Sequence, residues 1–371
     1  MAKTLHASGL GEEDTYVPPL YHDITPRMSD QNDAIREVHM VCFPIIDDLL
    51  AKTNVSPTDI DILIVNCSRF CPSPSLSSIV INKYSMRSDI KSYNISGMGC
   101  SASALGIDMA KRLLKVHENS NAIVLSTEIL STGFYTGNEK CKLILNCVFR
   151  MGSTAILLSN KKKAKKHAKY RVLSTVRFQS ASEDSCYFSG ALEEDSTGKI
   201  GFSLKNESLE IAGKILRSNI TTLGSQVLPL SEIFQYLVSL LKLRLLNRDS
   251  KAVYVPNFMS GIQHICLPCI GKKFIRRMGK MLRLSEIDIE PALMTMHKFG
   301  NQSSSSLWYE LAYLEAKQRI KKGDTIWLLG MGTGPKCTSV ILKSISSPLL
   351  GDEFKNGPWD DCIQQYPLII P

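Results

Sequence analysis

Three short runs of near-continuous apolar residues, DILIVNC (61–67), NAIVLSTEIL (121–130) and STAILLSN (153–160), alternate with segments whose apolar positions recur at helical spacing. One predicted helix, QNDAIREVHMVCFPIIDDLLAKT (31–53), precedes the first run, and another spans Ala102 to His117. Strand, helix, strand in this order predicts a parallel sheet with covering helices. Strands that are apolar at almost every position predict a sheet buried on both faces. A polar, acidic stretch from Gln179 to Lys199 interrupts the pattern, which then resumes. Helices are predicted over Ser208–Arg217 and Leu230–Asn247, then a strand KAVYVPNF (251–258), helices over Lys272–Leu284 and SSSSLWYELAYLEAK (303–317), and strands DTIWLLGMG (324–332) and TSVILKS (338–344). Two α/β halves of similar size joined by an acidic link is the economical architecture. No short repeat is visible.

Composition narrows the class. The 371 residues are 44% hydrophobic and 21% charged, which excludes a disordered chain, a collagen and a disulfide miniprotein. The most apolar window, Val227–Leu246, is broken by Glu232, Lys242 and Arg244, short of the roughly 18 to 20 uncharged apolar residues of a spanning helix. It reads as an amphipathic or partly buried helix, with membrane-surface contact as the alternative. The start, MAKTLHASGLGEEDTY, lacks the apolar core of a secretory signal, so the eleven cysteines are read as thiols rather than disulfides. Cys266-x2-Cys269 with His264 beside it invites a zinc reading, but no second pair follows at matching spacing, and no metal is expected.

The formal charge is +9, and it is unevenly placed. The run KKKAKKHAK (161–169) lies between STAILLSN and YRVLSTVRF and is predicted as the loop of a hairpin. The stretch KKFIRRMGKMLR (272–283) sets Phe274, Ile275, Met278, Met281 and Leu282 at helical spacing. Solvated faces are the simplest account of both, with lipid headgroups or the phosphates of a large ligand as the sharper readings. Neither run interleaves aromatics, and no nucleic-acid partner is expected.

The densest chemistry lies in NISGMGCSASALGIDMAKRLL (94–114), where Cys100 follows the Gly97-Met98-Gly99 turn and precedes the small residues that open an apolar helix. Unpaired amides and the helix dipole at that place favour negative charge, making Cys100 a candidate thiolate with a depressed pKa. A buried structural cysteine is the competing account. GMGTGPKCTS (330–339) satisfies neither G-x-x-x-x-G-K-[ST] nor G-x-G-x-x-G, so a phosphate cradle is weakly supported. His117 and His167 sit in polar surroundings that need no functional account. In SSSSLWYELAYLEAK, Leu307, Leu311 and Leu314 recur at core spacing.

GMGCSAS, preceded by IVNCSRFCPSPSLSSIVINKY (64–84) and followed by NCVFRMGSTAILLSNK (146–161), resembles the plant 3-ketoacyl-CoA synthase family, the condensing enzymes of very-long-chain fatty acid elongation. Further matches run through SGLGEEDTYVPP (8–19), SNITTLGSQVLPLSE (218–232), MHKFGNQSSSSLWYELAYLEAK (296–317) and GPWDDCIQQYP (357–367). The resemblance implies a thiolase-like α/β fold, five layers αβαβα built of two similar halves, with chalcone synthase as a distant relative. It divides the chain into an N-terminal half (1–200) carrying Cys100, a C-terminal half (201–345) carrying His264, Pro268, His297 and Asn301, and a tail (346–371). The implied reaction moves a long acyl group from CoA to the cysteine. Malonyl-CoA then loses carbon dioxide, and its carbanion attacks the acyl-cysteine to release a 3-oxoacyl-CoA. Acyl-CoA and malonyl-CoA are substrates, and no cofactor or metal is implied.

The family uses a Cys, His, Asn triad. Residue by residue, the cysteine falls on Cys100 and the asparagine on Asn301, as nucleophile and thioester or oxyanion donor. The histidine belongs in a stretch that here reads His264-Ile265-Cys266-Leu267-Pro268-Cys269-Ile270-Gly271, and its place is taken by Pro268. Proline has no side-chain donor and no titratable group. A following family glycine is Ile270 here, and a further family histidine is Gln179. His264 and His297 match supporting histidines and are the candidates to substitute. If the segment is helical, His264 lies one turn from Pro268; if extended, it is on the same strand face but about 13 Å away. The resemblance thus implies either an acyltransferase working through acyl-Cys100, or a catalytically impaired member acting as a partner or regulator of active synthases; a homodimer, or a heterodimer with related synthases, and other elongase subunits are the expected partners. Members of the family usually begin with a membrane-anchoring region, absent from this chain, so the endoplasmic reticulum membrane is the expected location, with a cytosolic or peripherally bound protein as the alternative.

Overall fold

The computed structural model describes residues 5, 8–11, 16–22, 30–205, 207–246, 254–346 and 357–369. The chain enters through α1 (Gln31–Thr53), closed by a capping box between Asp30 and Asp33 and ended by Asn54 in the left-handed region. There follow β1 (Ile62–Asn66), α2 (Leu76–Tyr84), β2 (Lys91–Ile95), α3 (Ala102–Val116), β3 (Asn121–Thr127), α4 (Ile144–Val148) and β4 (Ser153–Ser159). These strands form one sheet in the order β2-β1-β3-β4, parallel except for the last pair.

Beyond it come β5 (Tyr170–Gln179), α5 (Asp184–Tyr187), the hairpin β6 (Gly190–Glu194) and β7 (Ile200–Leu204), α6 (Ser208–Val227) and α7 (Leu230–Leu246). The last group is β8 (His264–Cys266), α8 (Lys272–Leu282), α9 (Glu286–Phe299), α10 (Ser306–Ala316), β9 (Thr325–Gly332) and β10 (Lys336–Ser344). The second sheet has the order β5-β10-β9-β8, with β8 and β9 parallel.

Period-two alternation within the apolar strands separates the layers. Ile62 and Ile64 of β1, with Ala122 and Val124 of β3, turn inward onto Ala104, Ile107 and Ala110 of α3 and Leu307, Leu311 and Leu314 of α10. Ile326 and Leu328 of β9 and Val340 and Leu342 of β10 meet the same two helices from the other side. The opposite faces bury against outer helices: Leu63, Val65, Ile123 and Leu125 on Ala34, Val38, Cys42 and Ile46 of α1, and Trp327, Leu329 and Ile341 on α6, α8 and α9. The result is five layers, α on β on α on β on α, as the resemblance implies, with α3 and α10 enclosed between the sheets.

Several expectations are corrected. The lysine-rich run is not a hairpin loop: its Lys162–Lys166 turn carries the chain from β4, at the edge of one sheet, to β5, at the edge of the other. A tight hairpin is usually closed by two to five residues, and this connection is longer. Strand β5 (Tyr170–Gln179) pairs with β10 and so lies in the second sheet. The acidic stretch contains a helical turn and most of the β6–β7 hairpin. It is anchored by Tyr135 Oη donating to Asp195 at 2.6 Å and Lys142 Nζ donating to the Glu194 carbonyl at 2.9 Å.

Of the expected strand 251–258, residues 251–253 lie outside the described residues. Tyr254–Asn257 form no ladder, because α7 side chains take their amides: Tyr254 N donates to Ser239 Oγ and Asn257 N to Glu232, both at 2.8 Å. Helix α6 runs ten residues past its expected end at Arg217, to Val227.

Leu328 is 1% exposed in the middle layer. Leu328→Ala should lower the unfolding free energy by about 2 to 5 kcal/mol, whereas Leu173→Ala, on the 44% exposed face of β5, should change it by about 0.5 kcal/mol or less. Urea unfolding of the two variants checks the assignment of layers.

Candidate active site

The strand ends of β1 and β3 and the starts of α3 and α10 converge on Cys100. The turn before α3 needs left-handed backbone at Gly97 and Gly99, φ 67° and 57°, which glycine adopts without strain. Gly99 N donates to Ser68 Oγ at 2.8 Å, and Ser101 Oγ donates to the Met98 carbonyl at 2.8 Å. Strand β9 braces the turn from below. A Cβ on Gly330 would lie 3.1 Å from Ser101 Cα, and one on Gly332 would strike the Met98 carbonyl oxygen. The glycines of this segment thus allow close backbone approach to the turn that carries Cys100.

The four serines before α10 have four different tasks. Ser303 Oγ lies 3.6 Å from Cys100 Sγ and 3.1 Å from Glu128 Oε2, to which it donates. Ser304 Oγ donates to Asn66 Oδ1 at 2.9 Å, Ser305 Oγ donates to the Ser126 carbonyl at 2.8 Å, and Ser306 Oγ accepts from Gln302 N at 2.9 Å. Asn66 Nδ2 in turn donates to Ser126 Oγ at 2.6 Å, and Ser103 Oγ of α3 donates to the Ser304 carbonyl at 2.6 Å. The two central helices are therefore stitched to each other and to the ends of β1 and β3. The helical periodicity of Leu307, Leu311 and Leu314 points to core packing alone. Four consecutive serines at a helix N-terminus, where one cap suffices, were the signal for more.

Asn301 is buried and joined to the same cluster. Its Oδ1 accepts from Ser303 N at 2.8 Å, holding Ser303 at φ 55°, a conformation uncommon outside glycine and asparagine. With its oxygen engaged, what Asn301 has left to offer a substrate carbonyl is the NH2 group.

Glu128 is 3% exposed and sits just past β3. Its Oε1 accepts from Arg69 N at 2.9 Å and from the Cys67 thiol at 3.7 Å. Burial lifts its carboxyl above the usual carboxylate range, with the Arg69 amide and guanidinium and the Ser303 and Cys67 donors pulling it back. It is a functional candidate that sequence reasoning missed, since STEIL reads as the end of a strand.

The thiol does not behave as the helix position implies. Burial pushes Cys100 up to about 11, the Ser303 hydroxyl lowering it and the Glu128 carboxylate raising it further. Cys100 keeps part of its surface open, as a thiol must to meet a substrate.

Both expected substitute histidines have partners away from Cys100. His264 opens β8, and its Nε2 pairs with Asp324 Oδ2 at 3.0 Å. The extended stretch runs from His264 to Cys266, and Pro268 follows it. His297, in the last turn of α9, places Nδ1 3.2 Å from Tyr366 Oη and packs beside Gly11. Pro268 is buried just after β8, flanked by Leu267, whose amide donates to Glu310 Oε2 at 2.7 Å, and Cys269, whose thiol donates to Glu310 Oε1 at 3.2 Å. Burial raises Cys269 well above the usual thiol value, with Glu310 and Cys100 contributing, which sets Cys269 within electrostatic reach of the nucleophile. Cys266 turns into the middle layer, so the C-x2-C pair is spent on packing and a hydrogen bond. Gln179, at the end of β5, is exposed.

The sequence profile described as FAE1/Type III polyketide synthase-like protein matches residues 1–245, and that of 3-oxoacyl-[acyl-carrier-protein] synthase III, C-terminal, matches 259–344. The chain is 46% identical to 3-ketoacyl-CoA synthase 6 of Arabidopsis thaliana over 373 residues, all of this chain and 73% of that protein. It is 46% identical to 3-ketoacyl-CoA synthase 5 of the same plant, over all of this chain and 74% of the relative. Among solved structures, 1,3,6,8-tetrahydroxynaphthalene synthase of Streptomyces coelicolor, a type III polyketide synthase, superposes with a TM-score of 0.68 at 16% identity, covering 93% of this chain and 89% of that one. PKS-I from the brown alga Ectocarpus siliculosus gives 0.68 at 16% identity, covering 92% and 88%. These two share the fold.

Gly332→Ala should drive a methyl group into the Met98 carbonyl and to within 2.6 Å of Ser101 Oγ, costing about 1 to 3 kcal/mol as overpacking does. It should also slow iodoacetamide labelling of Cys100. Gly213→Ala, whose added Cβ meets only the flexible tip of Met281 at 3.3 Å, should change neither. Peptide-level mass spectrometry and thermal unfolding of both variants decide it.

Proposed function

The chain belongs to the 3-ketoacyl-CoA synthase family, and from that premise we propose that it condenses a long-chain acyl-CoA with malonyl-CoA to a 3-oxoacyl-CoA, in very-long-chain fatty acid elongation, through an acyl-Cys100 intermediate. The observation that carries this reading is the placement of the Cys100 sulfur at the start of one buried helix against the Asn301–Ser303 segment at the start of another. A thioester carbonyl attacked by Cys100 develops an oxyanion, and the Asn301 amide group stands ready as a donor. A second reading, a catalytically impaired member that pairs with active synthases or other elongase subunits, is favoured by Pro268 alone. Without an imidazole, the decarboxylation step loses a hydrogen-bond donor.

The decisive assay is product formation from a saturated long-chain acyl-CoA and labelled malonyl-CoA. On the first reading, wild-type protein yields 3-oxoacyl product and Cys100→Ala yields none, while Pro268→His raises the rate by about 10² to 10³, the weight of one transition-state donor. Silence in the wild type with activity in Pro268→His would establish the second reading.

For its place of work we infer a membrane surface, the endoplasmic reticulum in keeping with the family. No helix among the described residues is long and apolar enough to cross a membrane. Helix α7, however, turns Leu230, Phe234, Leu237 and Leu241 to solvent, each half exposed or more, at i, i+4, i+7 and i+11. On its opposite side Glu232 and Ser239 bind Tyr254, over whose ring Arg283 sits at 5.6 Å. Arg283 ends an exposed row with Lys273, Arg277 and Lys280 on α8. An apolar stripe near a cationic row suits an anionic bilayer surface. Vesicles containing phosphatidylserine should float the protein in a gradient, and Phe234→Glu with Leu237→Glu should abolish flotation; unchanged flotation of that double variant would remove α7 from the account.

A further inference from the structure

We propose that Ser303 and Glu128 handle the Cys100 proton in this chain, in place of the imidazole that Pro268 lacks. The inference deepens the condensing-enzyme reading and rests on it.

The observations are three hydrogen-bond partners in a row. Ser303 Oγ stands between Cys100 Sγ at 3.6 Å and Glu128 Oε2 at 3.1 Å. Ser303 Oγ is placed to donate to either Cys100 Sγ or Glu128 Oε2; a hydroxyl has one proton to give and the carboxylate is the stronger acceptor, so in the relay Ser303 donates to Glu128 and its oxygen is free to take the thiol proton. Ser303 is kept at this point by the Asn301 carbonyl, in left-handed backbone that a serine adopts only when its surroundings enforce it. The other three serines of the run bond elsewhere, to Asn66, the Ser126 carbonyl and the Gln302 amide, so this one alone joins the thiol to a carboxylate. Burial narrows the proton-affinity gap from the carboxyl side, by lifting Glu128. The titratable groups facing Glu128 are Cys67 and Arg69 from the segment after β1 and Glu37 from α1; Cys269 faces Cys100.

The steps balance. As Sγ bonds to the acyl carbon, its proton passes to Ser303 Oγ while the hydroxyl proton passes to Glu128. The C–S bond to CoA breaks, and the CoA thiolate takes a proton from water. Malonyl-CoA then loses carbon dioxide, its carbanion forms the new C–C bond, and the departing Cys100 thiolate recovers its proton from Glu128 through Ser303. Glu128 acts through Ser303 and does not touch the substrate.

The test is the pH profile of Cys100 alkylation by iodoacetamide, followed by peptide-level mass spectrometry in wild type, Ser303→Gly and Glu128→Gln. Glycine suits the left-handed position, so Ser303→Gly removes the hydroxyl without strain. The wild type should show a pH-independent shoulder below the thiol titration. Both variants should lose the shoulder and label at least roughly tenfold more slowly near pH 7.5, climbing about tenfold per pH unit as an unassisted thiol does. If Glu128→Gln does not fold, Ser303→Gly decides alone. Wild-type rates and profile in Ser303→Gly would overturn the relay. Long-chain acyl-CoA provides the second arm: a relay profile with no acyl adduct on Cys100 would refute the condensing reading and leave the relay standing, while acylation unaffected by either substitution would refute the relay alone.

Discussion

Two helices begin inside this protein, and their first turns have no access to bulk water. Every α-helix leaves its first amide donors without intrahelical partners, and an orphaned donor in a buried place costs about 1 to 3 kcal/mol. At the starts of α3 and α10 these groups meet the carboxyl ends of β1 and β3, where Asn66, Ser126 and Glu128 are all buried. The 3-10 turns ahead of the two helices meet part of this need, the Ala102 amide bonding the Gly99 carbonyl and the Ser306 amide the Ser303 carbonyl, while a polar knot of serine hydroxyls and one asparagine ties both starts to β1 and β3. It joins both central helices to each other and to the ends of β1 and β3. In open α/β sheets the carboxyl ends of strands are where ligands bind, and here Ser303, next to this knot, lies against the Cys100 sulfur.

That burial decides the state of the thiol. The helix terminus favours a thiolate by about 0.3 to 1 kcal/mol, up to about 2 in enclosed geometries, which is near one pKa unit at 1.36 kcal/mol each. Desolvation works the other way and can reach 3 to 5 units. Cys100 is driven upward because the larger effect wins and because its nearest charged neighbour, Glu128, has the wrong sign to oppose it. Position at a helix N-terminus was readable from GMGCSAS, but the depth of that terminus was not.

The same division runs through the fold. The strands β1, β3 and β9, apolar at nearly every position, were legible because burial on both faces leaves no alternation to blur. Strand β2, KSYNI, has only partly buried and exposed positions and carries no such mark. Its place is set by pairing with β1. The segments on either side of the lysine run look like partners in sequence, yet each already has a neighbour in a different sheet. Local pattern finds elements; which edge a strand joins depends on contacts far away in the chain, as β5 with β10 illustrates. Within the site, Cys100 and Asn301 stood out through their motifs, whereas Glu128 and Ser303 acquire meaning only when three distant segments meet.

Pro268 marks the point where chemistry and architecture come apart. A proline in a central strand would remove a ladder hydrogen bond, but β8 pairs with β9 only as far as Cys266 opposite Leu328. Past that point the backbone is held by other means: Leu267 N by Glu310, and Ile270 N by the Pro268 carbonyl at 3.0 Å. The missing amide of Pro268 therefore breaks no ladder bond. Glu310, fully buried and accepting from the Leu267 amide and the Cys269 thiol, is lifted well above the usual carboxylate range by burial. An imidazole is absent from a scaffold whose backbone, glycine braces and serine knot are otherwise intact. Pro268 fits the backbone past β8 and leaves the shape of the site to the same forces that fold the five layers.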